Sequence, residues 1–145
     1  MSWKELEAAN PELAAFGAQR FATGVAYLAT IRKNGSPRLH PVTPIIGQGR
    51  LFLFMEPTSP KGHDLRRDGR YALHSSVSDS GGSSGEFLVT GRAKFIEDHE
   101  LRRLATQSAS YAPADRYILF ELSLETADST IYQGGQPVRE RWQKG

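Results

Sequence analysis

The sequence predicts a mainly β domain with short helices, six strands closing or nearly closing into a barrel. Three observations lead there. Runs rich in β-branched and aromatic residues recur along the chain, each five to eleven residues long. Turn signals separate them, foremost Asn34-Gly35 and Gly47-Gln48-Gly49. The helical stretches between them are few and short, and closure removes the exposed edges that so strand-rich a chain must manage.

Each element has a local reason. Trp3 to Ala9 reads as a helix. Asn10-Pro11-Glu12 starts another: Asn caps, Pro occupies the first helical position, and Glu suits the dipole. It should end before Gly24. Val25 to Ile31 is the first strand, and Asn34-Gly35 turns it into a return strand from Arg38 to Ile46. Pro41 and Pro44 cannot donate ladder hydrogen bonds, so that strand is expected at an edge or bulged. Leu51 to Met55 is the third strand. A helix follows from Ser59 to Arg67, closed by Asp68-Gly69. Tyr71 to Val77 is the fourth strand and residues 78–85 a flexible Gly/Ser hairpin loop. Glu86 to Ile96 is a long fifth strand, bent at Gly91. Asp98 caps a helix running to about Ser108. Tyr117 to Leu124 is the sixth strand, and Ser129 to Gln133 a short last one.

Length and composition narrow the classes. At 145 residues a single domain over 1–145 is expected, with an N-terminal helical segment (1–23), a barrel (24–133) and a C-terminal tail (134–145). There is no Cys, which excludes disulfides, zinc–thiolate sites and cysteine catalysis. The first residues are charged and lack an apolar core, so no secretory signal is read there, and no apolar run approaches a membrane span. A cytoplasmic protein without membrane partners is the default expectation. Lys and Arg number 18 against 16 Asp and Glu, a net charge of +2, too little for nucleic acid to be the expected partner. Basic residues nevertheless cluster at 61–70, 92–103 and 139–144.

The most informative stretch is Ser59-Pro60-Lys61-Gly62-His63-Asp64-Leu65-Arg66-Arg67. Ser59 is a good N-cap, and the open N–H groups of the first turn carry the positive end of the helix dipole. Lys61 adds a mobile cation, and Arg66 or Arg67 can add a second. A phosphate monoester is a natural guest for such a corner. His40 and His74 read as polar strand residues, His63 and His99 as surface groups. No His pair has metal-ligand spacing, and no metal is expected. Dinucleotide, Walker A and nucleophile-elbow motifs are absent.

Several motifs then fall in a recognisable order. Ala29-Thr30-Ile31, Asn34-Gly35, Pro37-Arg38, His40-Pro41-Val42, Leu51-x-Leu53-Phe54, Ser59-x-Lys61, Leu65-Arg66-Arg67-Asp68-Gly69-Arg70 and Val89-x-Gly91-x-Ala93 follow one another. Together they resemble the pyridoxamine 5′-phosphate oxidase-like, FMN-binding split-barrel family, over about residues 20 to 142. The resemblance implies a six-stranded split barrel, a homodimer, and FMN in the groove between subunits. It implies that Arg38 reaches the cofactor phosphate, with Leu39 and His40 beside it, and that Pro41, Val42 and Thr43 lie along the isoalloxazine edge. Phe54 and Met55 would sit by the ring, and Ser59, Lys61 and Arg66 would hold the phosphate.

Glu86 stands where relatives often carry a Gln reaching the cofactor from the other subunit, and a carboxylate cannot donate as an amide does. Tyr132-Gln133-Gly134-Gly135 resembles the Trp-Gln-Gly-Gly of true pyridoxamine-phosphate oxidases. In the Arg-x-His-x-Arg that follows there, only the last residue survives, as Arg141. Pro137 and Arg139 replace the other two, which argues against vitamin B6 phosphate as substrate. The expected activity is a flavin-dependent oxidoreduction of a small molecule, with no catalytic acid–base pair evident. Two alternatives share the resemblance: a reductase using the deazaflavin F420, and a flavin or haem carrier or sensor without turnover.

Overall fold

The computed structural model describes residues 2–145. Two helices, α1 (Trp3–Ala9) and α2 (Pro11–Phe21), open the chain. Asn10 caps α2 by accepting from the Leu13 N–H at 3.1 Å. Trp3, Phe16 and Phe21 pack edge-on or tilted around Phe87, so both helices close one end of the barrel core. No helix among the described residues is long and apolar enough to cross a membrane.

The strands are β1 (Ala26–Ile31), β2 (Pro37–Val42), β3 (Ile45–Gly47), β4 (Arg50–Met55), β5 (Arg70–Ser75), β6 (Glu86–Ile96), β7 (Ile118–Gln133) and β8 (Gln136–Gln143). Between them lie α3 (Pro60–Arg67) and α4 (His99–Ser108). All pairings are antiparallel, in the order β2-β1-β5-β6-β7-β4-β3, and β8 adds to β7.

That order defines the shape. The terminal strands of the path, β2 and β3, are neighbours in the chain and are separated only by Thr43-Pro44. A sheet whose two ends are two residues apart has to curl round on itself. The ends are not hydrogen-bonded to each other, so the barrel stays split. Pro44 helps to keep it so, because it has no N–H to offer a ladder.

Strand number is where the fold departs from expectation: eight strands, not six. The expected return strand Arg38 to Ile46 is two strands broken at Thr43-Pro44. The expected strands Tyr117 to Leu124 and Ser129 to Gln133 are one, β7. Between them the buried alternation slips by one residue at Glu125, from Leu122 and Leu124 to Ala127 and Ser129, while the ladder with β6 runs on. The tail is also a strand. Gly134 and Gly135 both take positive φ, 56° and 79°, and form a two-residue turn that folds β8 back along β7. That Gly-Gly was read as part of a family motif when it is also a hairpin signal. β8 pairs with the half of β7 that β4 leaves free.

Gly91 marks a register shift in the β6–β7 ladder, as expected, because a Cβ there would run into the Ser123 carbonyl. The core fills the barrel with Leu28, Leu51, Leu53, Leu73, Val89, Phe120, Leu122 and Leu124, all at most 1% exposed.

Candidate functional site

The split leaves an open cleft of about 270 Å³, walled by Pro41, Val42, Thr43, Phe54, Met55, Glu56, Lys61, Tyr111 and Tyr117. Its walls come from the free end of the sheet (β2), the end of β4, the first turn of α3 and the α4–β7 connection. A second, more enclosed cleft of about 290 Å³ adjoins it through Thr43 and is lined largely by apolar and small residues, among them Phe21, Pro44 and Ile45.

The α3 N-terminus is built as the sequence suggests. Ser59 Oγ accepts from the Gly62 N–H at 3.2 Å, and Pro60 occupies the first turn. Gly62 lies so close to Ser59 and Met55 that a Cβ would stand 3.2 Å from the Met55 sulfur, so the helix start is seated directly on the end of β4. Lys61 projects from this turn half-buried, and its partial burial lowers its pKa.

On β2 the alternation separates two groups. Arg38 pairs across β1 with Thr30, His40 with Leu28 and Val42 with Ala26, and Thr30, Leu28 and Ala26 are buried. Arg38, His40 and Val42 therefore share the inward face. Leu39 and Pro41 lie on the outward face, Leu39 with 68% of its surface exposed. His40 feels three influences, each lowering its pKa: burial first, then the Lys61 and Arg38 charges. The imidazole is neutral near pH 7 and stands within the field of two cations.

Asp64 organises this corner, and the sequence reading gave it no role. It is 2% exposed and accepts three hydrogen bonds, from Thr30 Oγ1 (2.8 Å), Arg38 Nε (2.7 Å) and an Arg67 terminal nitrogen (3.1 Å). Burial alone pushes its pKa up, but the bonds from Arg38, Thr30 and Arg67 outweigh it and hold the carboxyl below its ordinary value. Asp64 fixes Arg38 through Nε only, and leaves the two terminal guanidinium nitrogens free to meet an anion. One signal could have pointed to Asp64: it is the only acid in α3, three residues after Lys61 and beside the buried Leu65. Tyr111 and Tyr117 were also missed as cleft residues: the 109–116 segment around Tyr111 shows neither strand nor helix periodicity, and Tyr117 was read only as the start of a strand.

Six residues named through the family resemblance thus meet at one cleft: Pro41, Val42, Thr43, Phe54, Met55 and Lys61. Ser59 caps the helix beside it, and Arg38 and His40 line the same face of β2. Others lie elsewhere in the chain. Arg66 stacks over the Phe95 ring at 4.1 Å, five residues and about 140° round the helix from Lys61. Leu39 points outward. Glu86 faces His74 at 3.4 Å. Tyr132 packs beside Gly82 near the tip of the β7–β8 hairpin, and Arg141 lies 3.6 Å from Asp128.

The fold has known counterparts. A haem-binding protein from Mycobacterium smegmatis superposes with a TM-score of 0.69 at 20% identity, over 89% of this chain and 57% of that one. The chain thus spans little more than half the length of that relative. A protein related to general stress protein 26 of B. subtilis (pyridoxinephosphate oxidase family), from Clostridium acetobutylicum, gives 0.62 at 12% identity, over 94% of both chains. A NimC/NimA family protein from Clostridium acetobutylicum gives 0.59 at 17% identity, over 82% of this chain and 85% of that one. At these identities the likeness is one of fold. No curated protein matches the chain in sequence. The sequence model of the pyridoxamine 5′-phosphate oxidase family, however, matches residues 10–130, from the cap of α2 to near the end of β7. The chain belongs to the pyridoxamine 5′-phosphate oxidase family.

Proposed function

We propose that this protein binds FMN at the split of its barrel and acts as a flavin-dependent oxidoreductase, as a homodimer with the cofactor between subunits. One observation carries the reading. The cleft joins an apolar wall (Pro41, Val42, Phe54, Met55) to a cationic corner (Lys61, with Arg38 and His40 on the neighbouring strand face). A flat ring with a phosphate at the end of a chain needs that combination. The donors also fit a dianion: an ammonium, two free guanidinium nitrogens, a His that can take up a proton, and a helix N-terminus.

The dimer is inferred from size and from surface. At about 270 Å³ the open cleft falls just under the roughly 300–1,000 Å³ of small-molecule sites, and a second subunit against it would supply further walls. The outward face of the β2–β1 hairpin carries Leu39 and Tyr27, 68% and 43% exposed, with Pro41 opposite Tyr27. Such an apolar face suits burial against a copy. Glu86, Tyr132 and Arg141, which lie away from the cleft in the protomer, would then be candidates to reach it across the interface.

Bound FMN supplies two-electron chemistry by accepting or giving a hydride at N5. The chain's own residues have simpler tasks. Lys61 and Arg38 would hold the phosphate, Phe54 and Met55 would shield the ring from water, and Tyr111 and Tyr117 would wall the remainder of the cleft. With about 31 non-hydrogen atoms at roughly −0.3 kcal/mol each, FMN should bind near −9 kcal/mol, a dissociation constant of about 0.1–1 μM.

A second reading comes from the haem-binding relative: a carrier that holds haem and does not turn over. F420, with an acidic tail, is a third guest for the same cations. The absorption spectrum of protein incubated with each compound separates them. Two visible flavin bands with saturable binding support the FMN reading. A Soret band with no flavin uptake replaces it with haem, and a single near-violet band replaces it with F420. Colourless protein after all three overturns it. Oxidation of NAD(P)H in the presence of an acceptor tests turnover.

A further inference from the structure

A wider, more open cleft lies elsewhere. At the other end of α3 a cleft of about 420 Å³ is lined by Ile31, Arg32, Lys33, Gly35, Arg67, Asp68, Gly69, Arg70 and Arg92. Five of these nine side chains are cationic and one is acidic. That surplus exceeds the net charge of the whole chain, +2. The β1–β2 turn, the end of α3 and β6 have been folded together so that like charges converge, which costs energy unless an anion offsets it.

Partners within the chain offset only part of this field. Asp68 is engaged by Arg70 through two guanidinium nitrogens and the Arg70 N–H, and Arg70 holds its pKa down to about 2. That pair is self-contained. Arg67 shares Asp64 with Arg38, so one carboxylate serves two guanidinium groups. Arg92 meets Glu125 only at 3.7 Å, both more than half exposed, a contact of little strength. Among the described residues neither Arg32 nor Lys33 has a carboxylate partner.

We propose that this cleft is a second anion site, distinct from the one beside Lys61, that binds a small molecule bearing a diphosphate group. Several forked guanidinium groups around one space suit adjacent phosphate groups, whose oxygens can be held in pairs. A single monoanion would leave much of the positive charge unmet. The proposal does not depend on which cofactor occupies the barrel split.

Calorimetric titration tests it, with inorganic pyrophosphate and with ADP, on the protein as purified and again after saturation with FMN. Saturable binding of pyrophosphate at micromolar to low-millimolar concentration is expected in both preparations, weakening as salt screens the site. If ADP binds no more tightly than pyrophosphate, the diphosphate alone is the ligand; if ADP binds more tightly, the ligand is a nucleotide. Both results support a diphosphate site. Two variants locate it. Arg32→Ser with Arg92→Ser removes two exposed cations, and Lys33→Glu reverses one charge on the turn. Each should cost tenfold or more in pyrophosphate affinity while FMN affinity stays unchanged. Lys61→Ala should leave pyrophosphate affinity intact. No saturation by either ligand, unchanged affinity in both variants, or loss of pyrophosphate binding on Lys61→Ala or FMN saturation would overturn the proposal.

Discussion

Replacing Lys61 separates a phosphate grip from general packing in the cleft. Lys61 is half-buried at the first turn of α3, and its pKa is already lowered by loss of water. A docked phosphate therefore meets an ammonium that has given up part of its hydration, and the bond between them is charge-assisted. Such bonds contribute about 1.5–3 kcal/mol, so Lys61→Ala should weaken FMN roughly tenfold to 150-fold. The lysine stem also walls the cleft, and its loss alone would weaken any ligand. Two controls separate the effects. Riboflavin has the same ring and no phosphate, and Lys61→Met keeps the stem without the charge. Quenching of flavin fluorescence gives all the affinities. FMN binding should fall in both variants, and riboflavin binding should change little in Lys61→Met. Equal losses for FMN and riboflavin in Lys61→Met would refute the phosphate role.

Three further outcomes are expected. A phosphate beside His40 favours the imidazolium, so the complex takes up a proton that the free protein, with its lowered His40 pKa, does not hold; the ratio of wild-type to His40→Gln affinity for FMN should grow as pH falls from 8 to 6, and a flat ratio would sink the idea. Comparing the two proteins cancels the phosphate's own ionisation near pH ~6. Asp64→Asn leaves Arg38 and Arg67 facing each other without their shared carboxylate, but both are partly exposed (24% and 38%), so a loss of about 2–3 kcal/mol in urea unfolding is expected, below the figure for a fully buried pair. Asp64 has a depressed folded-state pKa, so its contribution is present above the unfolded value near pH ~4 and is lost as pH falls through the folded one; the gap between wild type and variant should close in acid, and a constant gap would refute the assignment. Leu39→Glu places a charge on the outward face of β2 and should convert a dimer to a monomer in light scattering, with FMN affinity lost alongside; a wild-type monomer, or a variant that stays dimeric, would remove the interface.

Much of the fold was legible because its signals are local. Asn10-Pro11, Ser59-Pro60 and Asp98 each mark a helix start, and each side chain accepts the capping bond it suggests. Asn34-Gly35 turns β1 into β2, with Gly35 at φ 88°. The illegible parts depend on partners distant in sequence. Nothing local in Glu125 to Asp128 says that β7 runs on, because its continuation is held by β6 on one side and β8 on the other.

The site divides along the same line. Lys61 and Ser59 could be read from helix-terminus physics before any resemblance was considered. Asp64 could not, since a lone Asp between His63 and Leu65 becomes an organising group only when Thr30 and Arg38 arrive from the β1–β2 hairpin, 34 and 26 residues away. This one carboxylate accepts from Arg38, on the β2 face that runs on to the cleft residue Val42, and from Arg67, which lines the basic cleft at the far end of α3. Each cleft therefore leans on the same buried charge. The two clefts should be energetically linked: an anion that draws Arg67 away from Asp64 leaves Arg38 as the principal cation on that carboxylate and tightens its hold there. Ligands at the two ends of α3 are then expected to alter one another's affinity by equal factors, a reciprocity that paired titrations of FMN and pyrophosphate would measure directly. Asp64→Asn should abolish that factor even where both ligands still bind, because the carboxylate that Arg38 and Arg67 share would be gone.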